Sequence, residues 1–297
     1  MAQATDIKVS VLMITYNHEN LIAQAIESVL EQQVSFEYEI VIGEDCSTDN
    51  TRAIVQTYQE KYPDRIRALL PAQNLGMTRN FEATLNHCRG QYIALLEGDD
   101  YWTSPQKLQT QVNFLDAHPD CAICFHNASV VYEDGSQETR NFSPPDQKPI
   151  SDLRDLFYEN FMATPTVMFR NRLCDRLPSW FHYLKMGDWT LHILNAQFGK
   201  IGYLNPVMAV YRIHSGGVWS SSSQTARLQA SIKMFEYLNT HFRGKYSYLI
   251  SYHLARFYKA LMVIALGQRS FPAAIAAFIQ LIRFLLQSTF NFCFNRN

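Results

Sequence analysis

The segment most informative about architecture is Ala94-Leu95-Leu96-Glu97-Gly98-Asp99-Asp100. An apolar run over residues 92–96 ends here in three carboxylates spread over four residues. A short apolar run of this kind is typical of a buried strand. Carboxylates so close together repel one another unless a cation neutralises them, and hard oxygen ligands suit Mg²⁺ or Mn²⁺ on a diphosphate. The alternative is a solvated acidic loop that caps the helix predicted to begin at Pro105.

Three more apolar runs precede this segment, and apolar residues at helical spacing separate them. The runs predict buried strands at residues 9–14, 38–42 and 66–70. Strands that alternate with helices form right-handed β-α-β units, whose strands pair in parallel. The sequence therefore predicts an α/β fold with a mostly parallel central sheet flanked by helices.

Polar residues follow each of these predicted strands directly. Although they are distant in sequence, the carboxyl ends of parallel strands meet at one edge of a sheet, where open α/β folds bind their ligands. The G-x-G-x-x-G pattern of a dinucleotide fold is absent after the first strand, which disfavours a Rossmann dehydrogenase. The residues expected to converge are Thr15-Tyr16-Asn17, Glu44-Asp45, Asn74, Glu97, Asp99 and Asp100.

The second half of the chain is predicted to add a helix at residues 105–118 and strands at 121–132, 164–169 and 207–213. Between them, the proline-containing residues 139–150 predict a mobile loop, which is either a lid over the substrate or an ordinary surface connection.

Composition and charge exclude several classes of protein. The chain has 297 residues, of which 47% are hydrophobic and 18% charged, so it is not disordered. The net charge of −1 and the lack of a basic run argue against a nucleic-acid partner. Residues 1–8 lack a signal-peptide pattern, and no uncharged apolar run of about 18 residues appears. The cytoplasm is therefore the expected compartment.

Taken in order, the motifs make the chain resemble the family 2 glycosyltransferases of the GT-A fold, over residues 7–219. Each motif is short, and their order and spacing together support the resemblance. The motifs are Val9-Ser10-Val11 to Thr15-Tyr16-Asn17, Glu44-Asp45-Cys46-Ser47-Thr48-Asp49-Asn50-Thr51, Asn74-Leu75-Gly76, Glu97-Gly98-Asp99-Asp100, Gly187-Asp188-Trp189 and Tyr211-Arg212-Ile213-His214.

The resemblance implies a nucleotide-sugar site in the first half of the chain. Tyr16 would stack on the nucleobase, with Thr15 and Asn17 beside it. Asp45 would accept a hydrogen bond from the base, typically from an N–H of uracil or thymine, and Arg79 would contact the nucleotide.

The resemblance also implies the catalytic groups. Asp99 and Asp100 match the D-x-D region, which contacts the ribose and holds a divalent cation, Mn²⁺ or Mg²⁺, on the diphosphate. His214 matches a histidine near that metal, and Arg212 would assist with the leaving-group charge. Asp188 matches the general base that deprotonates the acceptor. The alternatives are a helix cap for Asp188 and a purely structural role for His214.

Three positions depart from the family pattern. Glu97 and Glu44 stand where Asp is common, and Cys46 stands where Gly is common. The departures at Glu97 and Cys46 leave open a non-catalytic nucleotide- or carbohydrate-binding module. A sugar-phosphate nucleotidyltransferase is the rival enzyme, but it would need a Gly-rich basic loop in place of Thr15-Tyr16-Asn17-His18. The Q-x-x-R-W signature of processive synthases is absent, so the resemblance implies transfer of a single sugar with inversion.

The acceptor and the C-terminal segment complete the prediction. We expect a GT-A domain at residues 1–223, with a nucleotide-sugar half at 1–104 and an acceptor half at 105–223, and a helical segment at 224–297. Trp189 and Trp219 would line an acceptor site for a glycan or a lipid-linked hydroxyl, or pack in the core. The apolar C-terminal helices either pack on the domain or contact the inner face of the plasma membrane peripherally.

Overall fold

The computed structural model describes residues 7–173, 176–217 and 222–294, with side chains described as far as residue 288. The chain forms two compact units. The first contains the chain up to Leu153, Asn160–His182 and Gly187–His214, and the second contains Arg154–Glu159, Tyr183–Met186 and the chain from Ser215. All the predicted catalytic, nucleotide-binding and metal-binding residues belong to the first unit.

The first hundred residues confirm the predicted alternation of strands and helices. The strands are apolar on both faces and almost fully buried, as in other parallel sheets covered by helices on both sides. The elements are β1 (Val9–Thr15), α1 (Ile22–Leu30), β2 (Tyr38–Glu44), α2 (Thr51–Lys61), β3 (Ile66–Leu69), α3 (Met77–His87) and β4 (Tyr92–Glu97).

The rest of the first unit adds strands to the same sheet, and α5 extends into the second unit. Two short 3₁₀ turns, Thr164–Thr166 and Ser179–Tyr183, connect these elements. The elements are β5 (Tyr101–Trp102), α4 (Lys107–Ala117), β6 (Cys121–Tyr132), β7 (Arg140–Asn141), β8 (Ile150–Ser151), α5 (Leu153–Tyr158), β9 (Met168–Arg170), α6 (Asp188–Asn195) and β10 (Lys200–Ile213).

Within the described residues, ten strands form one sheet with a main order of β3-β2-β1-β4-β9-β6-β10-β5. The strands β3, β2, β1 and β4 are parallel, and β6 is parallel to β10. The short strand β9 is antiparallel to both β4 and β6 and joins the two parallel parts. The sheet is therefore mostly parallel, as predicted.

Register decides which side chains meet at the edge of the sheet. Ile14 lies opposite Glu97, so β1 and β4 end side by side. β5 follows Asp100 directly and pairs antiparallel with β10, with Tyr101 opposite Val210. This pairing brings the end of β10 beside the acidic turn after β4.

Three predicted elements differ from the structure because of proline and of long-range pairing. Residues 164–169 are a 3₁₀ turn followed by β9, since Pro165 has no backbone N–H for a strand ladder. The strand predicted at 207–213 begins at Lys200 and passes Pro206 at a register shift, where a missing donor is tolerated. The predicted loop at 139–150 includes β7 and ends in β8, which pair with β6 and β10.

In the second unit, the segment predicted to be helical contains α7 (Gln224–His241), α8 (Ser247–Gly267) and α9 (Phe271–Phe294). α8 and α9 form a hairpin in which the rings of Tyr258 and Phe284 stack with centroids 5.7 Å apart. By length and composition alone, both helices are apolar enough to cross a membrane, although windows of 18 residues are only 39% and 17% buried. The lack of a long uncharged run therefore does not exclude membrane association.

Candidate active site

The acidic turn after β4 requires glycine at position 98. A Cβ atom on Gly98 would lie 2.5 Å from Oγ1 and 2.7 Å from Cβ of Thr15, which is closer than such atoms can approach. The Gly98 N–H donates to the carbonyl of Ile14 over 3.0 Å. The turn is therefore held tightly against the end of β1, and the two following aspartates are placed at the carboxyl edge of the sheet.

Asp100 is a buried carboxylate that is only half satisfied. Its Oδ1 accepts a 2.8 Å hydrogen bond from the backbone N–H of Arg212, and its side chain is 1% exposed. Its Oδ2 has no hydrogen-bond partner in the part of the chain that the structure describes. Burial, followed by the charges of Asp99 and Glu97, raises the pKa of Asp100 well above its usual value.

Asp99 lies between two histidines. Its Oδ2 is 3.1 Å from Nε2 of His214 and 3.8 Å from Nε2 of His18, while its Oδ1 has no partner among the described residues. Burial opposes ionisation of Asp99, but the hydrogen bond with His214 and the nearby imidazoles outweigh it and lower the pKa of Asp99. The same hydrogen bond raises the pKa of His214, whereas burial lowers that of His18.

Arg212 braces the turn from the end of β10. Its Nη1 donates to the carbonyl of Asp99 over 2.9 Å, and its Nη2 donates to Oε1 of Gln24. The guanidinium lies over the ring of Tyr101, 4.5 Å from the centroid. Arg212 therefore positions both aspartates, and its positive charge lies beside them.

These residues fit a divalent cation. Two sets of three residues could each hold a metal ion, and Asp99 belongs to both sets. Within each set, one ligand atom from each residue lies within 4.8 Å of the other two. The first set is His18, Asp99 and His214, and the second is Glu97, Asp99 and Asp100. Buried carboxylate oxygens without partners on Asp99 and Asp100 are what a bound cation would satisfy.

The loops after β1 and β2 hold each other. The Asn17 N–H donates to Oγ of Ser47 over 2.9 Å, and Asn17 Oδ1 accepts from the N–H of Thr48 over 2.8 Å. Asn17 and Cys46 both adopt left-handed backbone conformations, with φ of 56° and 58°. Glycine adopts this conformation at less cost, which explains why glycine is common at the position of Cys46. Tyr16 remains 42% exposed beside these loops.

Asp45 organises the next turn along the sheet edge. Its Oδ1 accepts from the N–H of Leu75 over 2.7 Å, and its Oδ2 accepts from the N–H of Gly76 over 3.0 Å. Burial is the main cause that raises the pKa of Asp45, and these hydrogen bonds oppose it. Arg79, two residues into α3, is exposed.

Asp188 is not a helix cap, so that alternative is wrong. It is the first residue of α6, Gly187 occupies the N-cap position, and no side-chain cap is formed there. Its Oδ2 instead accepts a 2.9 Å hydrogen bond from Nδ2 of Asn160. Glu97, which stands where the family commonly has Asp, lies close enough to Asp99 and Asp188 to feel both charges. Burial, followed by these two charges, raises the pKa of Glu97 to about 8.

The structure thus brings together Asp99, Asp100, Arg212 and His214 in direct contact, with Thr15 beside them. Trp189 is half-buried on α6, and Trp219 lies outside the described residues. His18 and Asn160 were not predicted. His18 follows Thr15-Tyr16-Asn17 at the end of β1, and this position was the signal for it; Asn160 had no sequence signal, because its partner is 28 residues away.

The model of glycosyl transferase family 2 matches residues 10–177, which is more than half of the chain. An uncharacterised protein of Mycobacterium tuberculosis is 39% identical over 214 residues, which are 72% of this chain and 61% of that protein. The chain thus spans about three fifths of that relative's length. An uncharacterised glycosyltransferase of Nostoc is 30% identical over 78% of this chain and 74% of its own. The putative teichuronic acid biosynthesis glycosyltransferase TuaG of Bacillus subtilis is 28% identical over 74% of this chain and 84% of its own.

Solved structures show the same fold at low sequence identity. S. aureus TarS in complex with UDP-GlcNAc has a TM-score of 0.61 and 19% identity, covering 91% of this chain and 90% of its own. The mannosyltransferase PcManGT from Pyrobaculum calidifontis, in complex with GDP-Man and Mn²⁺, has a TM-score of 0.58 and 16% identity, covering 100% and 92%. The family match, the relatives and the GT-A fold agree, and the chain belongs to the family 2 glycosyltransferases.

Proposed function

We propose that this glycosyltransferase moves a single sugar from a UDP- or dTDP-linked donor to a hydroxyl of a glycan or a lipid-linked acceptor, with inversion at the anomeric carbon. The observation that carries the proposal is the meeting of Asp99 and Asp100 with Arg212 and His214 at the carboxyl edge of the sheet. A diphosphate with its cation needs paired carboxylates and positive groups in this arrangement.

Donor binding is assigned to the same edge. Tyr16, exposed beside the loops after β1 and β2, would stack on the base, and Asn17 holds those loops together. Asp45 would accept an N–H of the base with the lone pairs that Leu75 and Gly76 leave unused. Arg79 is exposed at the start of α3 and would reach the nucleotide.

Asp100 and His214 would hold the cation, with Asp99 between them. When bound, Mn²⁺ or Mg²⁺ supplies positive charge that neutralises the departing diphosphate. Arg212 would add a fixed positive charge on the same side. Asp188, with one oxygen held by Asn160, would accept the proton of the acceptor hydroxyl as it attacks.

A donor panel tests this function. We expect UDP- and dTDP-sugars, in the presence of Mn²⁺, to raise the melting temperature of the full chain because a ligand that binds only the native state stabilises it. One of them should also be slowly hydrolysed without an acceptor, as measured by released nucleotide. GDP-sugars serve as the comparison. Binding without any hydrolysis or transfer would indicate a non-catalytic module, and release of pyrophosphate from a nucleoside triphosphate and a sugar phosphate would indicate a nucleotidyltransferase.

The C-terminal helices suggest where the acceptor is met. Apolar side chains at helical spacing line one exposed face of α9, including Phe271, Ile275, Ile279 and Leu286, which are 63%, 60%, 59% and 67% exposed. From residue 237 to the C-terminus, the sequence has seven Lys and Arg residues and no Asp or Glu. An apolar face on a purely basic segment suits an anionic lipid surface. We therefore propose peripheral contact with the cytoplasmic leaflet and a role in surface polysaccharide synthesis.

We expect the full chain to float with vesicles that contain anionic phospholipid, and less with neutral vesicles. The double substitution Ile275→Gln and Ile279→Gln should lower the floated fraction several-fold, because it removes apolar area from the lipid-facing side. Phe198→Gln, which changes a 53% exposed side chain of the first unit, is the matched control. Undiminished flotation of the double variant would contradict the proposal that this face binds lipid. So would a concentration-dependent dimer that forms without lipid and is lost in the double variant, because the face would then bind a second copy of the chain.

A further inference from the structure

We infer that His18 is a ligand of the same divalent cation as Asp99 and His214, which makes this a site with two imidazoles and carboxylates that prefers Mn²⁺ or Co²⁺ to Mg²⁺. The inference rests on the proposed cation-dependent function, and it assigns a ligand that the acidic motif and the C-terminal histidine do not include.

The spacing of the three side chains suits a shared cation. Metal–ligand bonds of about 2.1 Å place neighbouring ligand atoms about 3 Å apart and opposite ones about 4.2 Å apart in an octahedral site. Asp99 Oδ2 is 3.1 Å from Nε2 of His214 and 3.8 Å from Nε2 of His18, and one ligand atom from each residue lies within 4.8 Å of the others. The two imidazole rings meet edge to face, with centroids 6.0 Å apart.

His18 is held as metal-binding histidines are. Its Nδ1 is 3.2 Å from Oγ1 of Thr15, and this contact leaves Nε2 for a metal. Thr15 is itself buried, and its carbonyl accepts from the N–H of Asp45 over 3.0 Å. The backbone N–H of His18 donates to Oγ1 of Thr51 over 2.8 Å. The imidazole is thus oriented from both its ring and its backbone, and its Nε2 points at Asp99.

Unpartnered oxygen atoms provide the second, independent observation. Asp99 Oδ1 and Asp100 Oδ2 are buried and have no partner within the described ranges, and they belong to the acidic set that shares Asp99 with the histidines. Buried carboxylate oxygens are normally satisfied, and a bound cation would satisfy these two. Mg²⁺ favours an all-oxygen shell, whereas the first-row transition-metal ions also accept imidazole nitrogen, with an affinity that rises from Mn²⁺ to Co²⁺. His18 therefore shifts the preference of the site towards Mn²⁺ and Co²⁺.

The test is metal binding by the full chain in the absence of donor. Titration calorimetry with Mn²⁺ and with Mg²⁺ would compare the wild type, His18→Gln and the matched control His87→Gln, an exposed histidine on α3. Loss of an outer-shell partner costs about 10–100-fold in metal affinity, so removing a ligand should weaken Mn²⁺ binding by at least that factor, and should weaken Mg²⁺ binding much less. Thr15→Val, which removes only the orienting hydroxyl, should weaken Mn²⁺ binding by a smaller factor.

Pulsed electron paramagnetic resonance of bound Mn²⁺ adds a signature that a purely structural histidine would not produce. We expect nitrogen couplings from two imidazoles in the wild type and in His87→Gln, and from one in His18→Gln. Two couplings retained in His18→Gln, or unchanged Mn²⁺ affinity, would overturn the inference and leave the proposed function standing. A wild type that binds no Mn²⁺ would overturn both.

Discussion

Asp188→Asn is expected to lower kcat by about 10²–10⁴-fold, the usual contribution of a positioned general base, and to leave donor affinity nearly unchanged. The acceptor hydroxyl must lose its proton as it attacks, and an amide cannot accept that proton. The substituted amide would preserve the shape of the side chain and would still accept the hydrogen bond from Asn160 that now reaches Oδ2 of Asp188 over 2.9 Å. Stability should therefore change little, since Asp188 does not cap α6.

The measurement is steady-state kinetics with saturating acceptor, together with donor affinity by calorimetry. Asp64→Asn, an exposed aspartate in the turn before β3, is the matched control and should retain full turnover. The assignment of Asp188 as the base would fail if the variant bound donor poorly and kept its kcat, because that pattern belongs to a donor-binding residue.

Asp100→Asn is expected to abolish Mn²⁺-dependent donor binding and turnover, and at the same time to stabilise the metal-free protein at neutral pH. Asp100 is 1% exposed, one of its oxygens has no partner among the described residues, and Asp99 and Glu97 repel its charge. Asparagine removes that charge and still accepts from the Arg212 N–H at the position of Oδ1. A site that binds a cation well is strained without it, so function and metal-free stability oppose each other here.

The pH dependence follows from the direction of the pKa shift. Burial raises the pKa of Asp100 in the folded protein above its unfolded value of about 3.9, so the native state binds this proton more tightly. The stability that this proton contributes is fully present below the unfolded pKa and is lost as the pH rises towards the folded pKa. In chelator, the gain in melting temperature of Asp100→Asn over the wild type should therefore be small near pH 4 and larger at pH 7.

Addition of Mn²⁺ should reverse the order of stabilities. A cation at 100 times its Kd stabilises the native state by about 2.7 kcal/mol, and only the wild type should gain this. Asp64→Asn again provides the control, and we expect it to melt like the wild type both in chelator and in Mn²⁺. Equal Mn²⁺ shifts in Asp100→Asn and the wild type would show that Asp100 is not a ligand.

Local sequence was enough for most of the fold. The strand predicted at residues 121–132 is β6 as found, and each predicted strand of the first hundred residues appears within a residue or two of its expected bounds. Buried strands and amphipathic helices have periodicities that depend on near neighbours alone, which is why they could be predicted. The errors occurred where distant pairing decides structure, as at β9, which lies antiparallel between β4 and β6.

The sequence by itself determined that polar and acidic residues follow the strands, and hence that Thr15, Asp45, Asp99 and Asp100 lie at one edge of a parallel sheet. Only the tertiary structure decided what meets them there. Pairing of β5 with β10 brings Arg212 to Asp100 across 112 residues of sequence and brings His214 to Asp99. Pairing of β1 with β4 brings His18 to the same aspartate. The reason is physical: a short apolar run specifies a buried strand and where it ends, whereas hydrogen-bond register between distant strands specifies which side chains become neighbours.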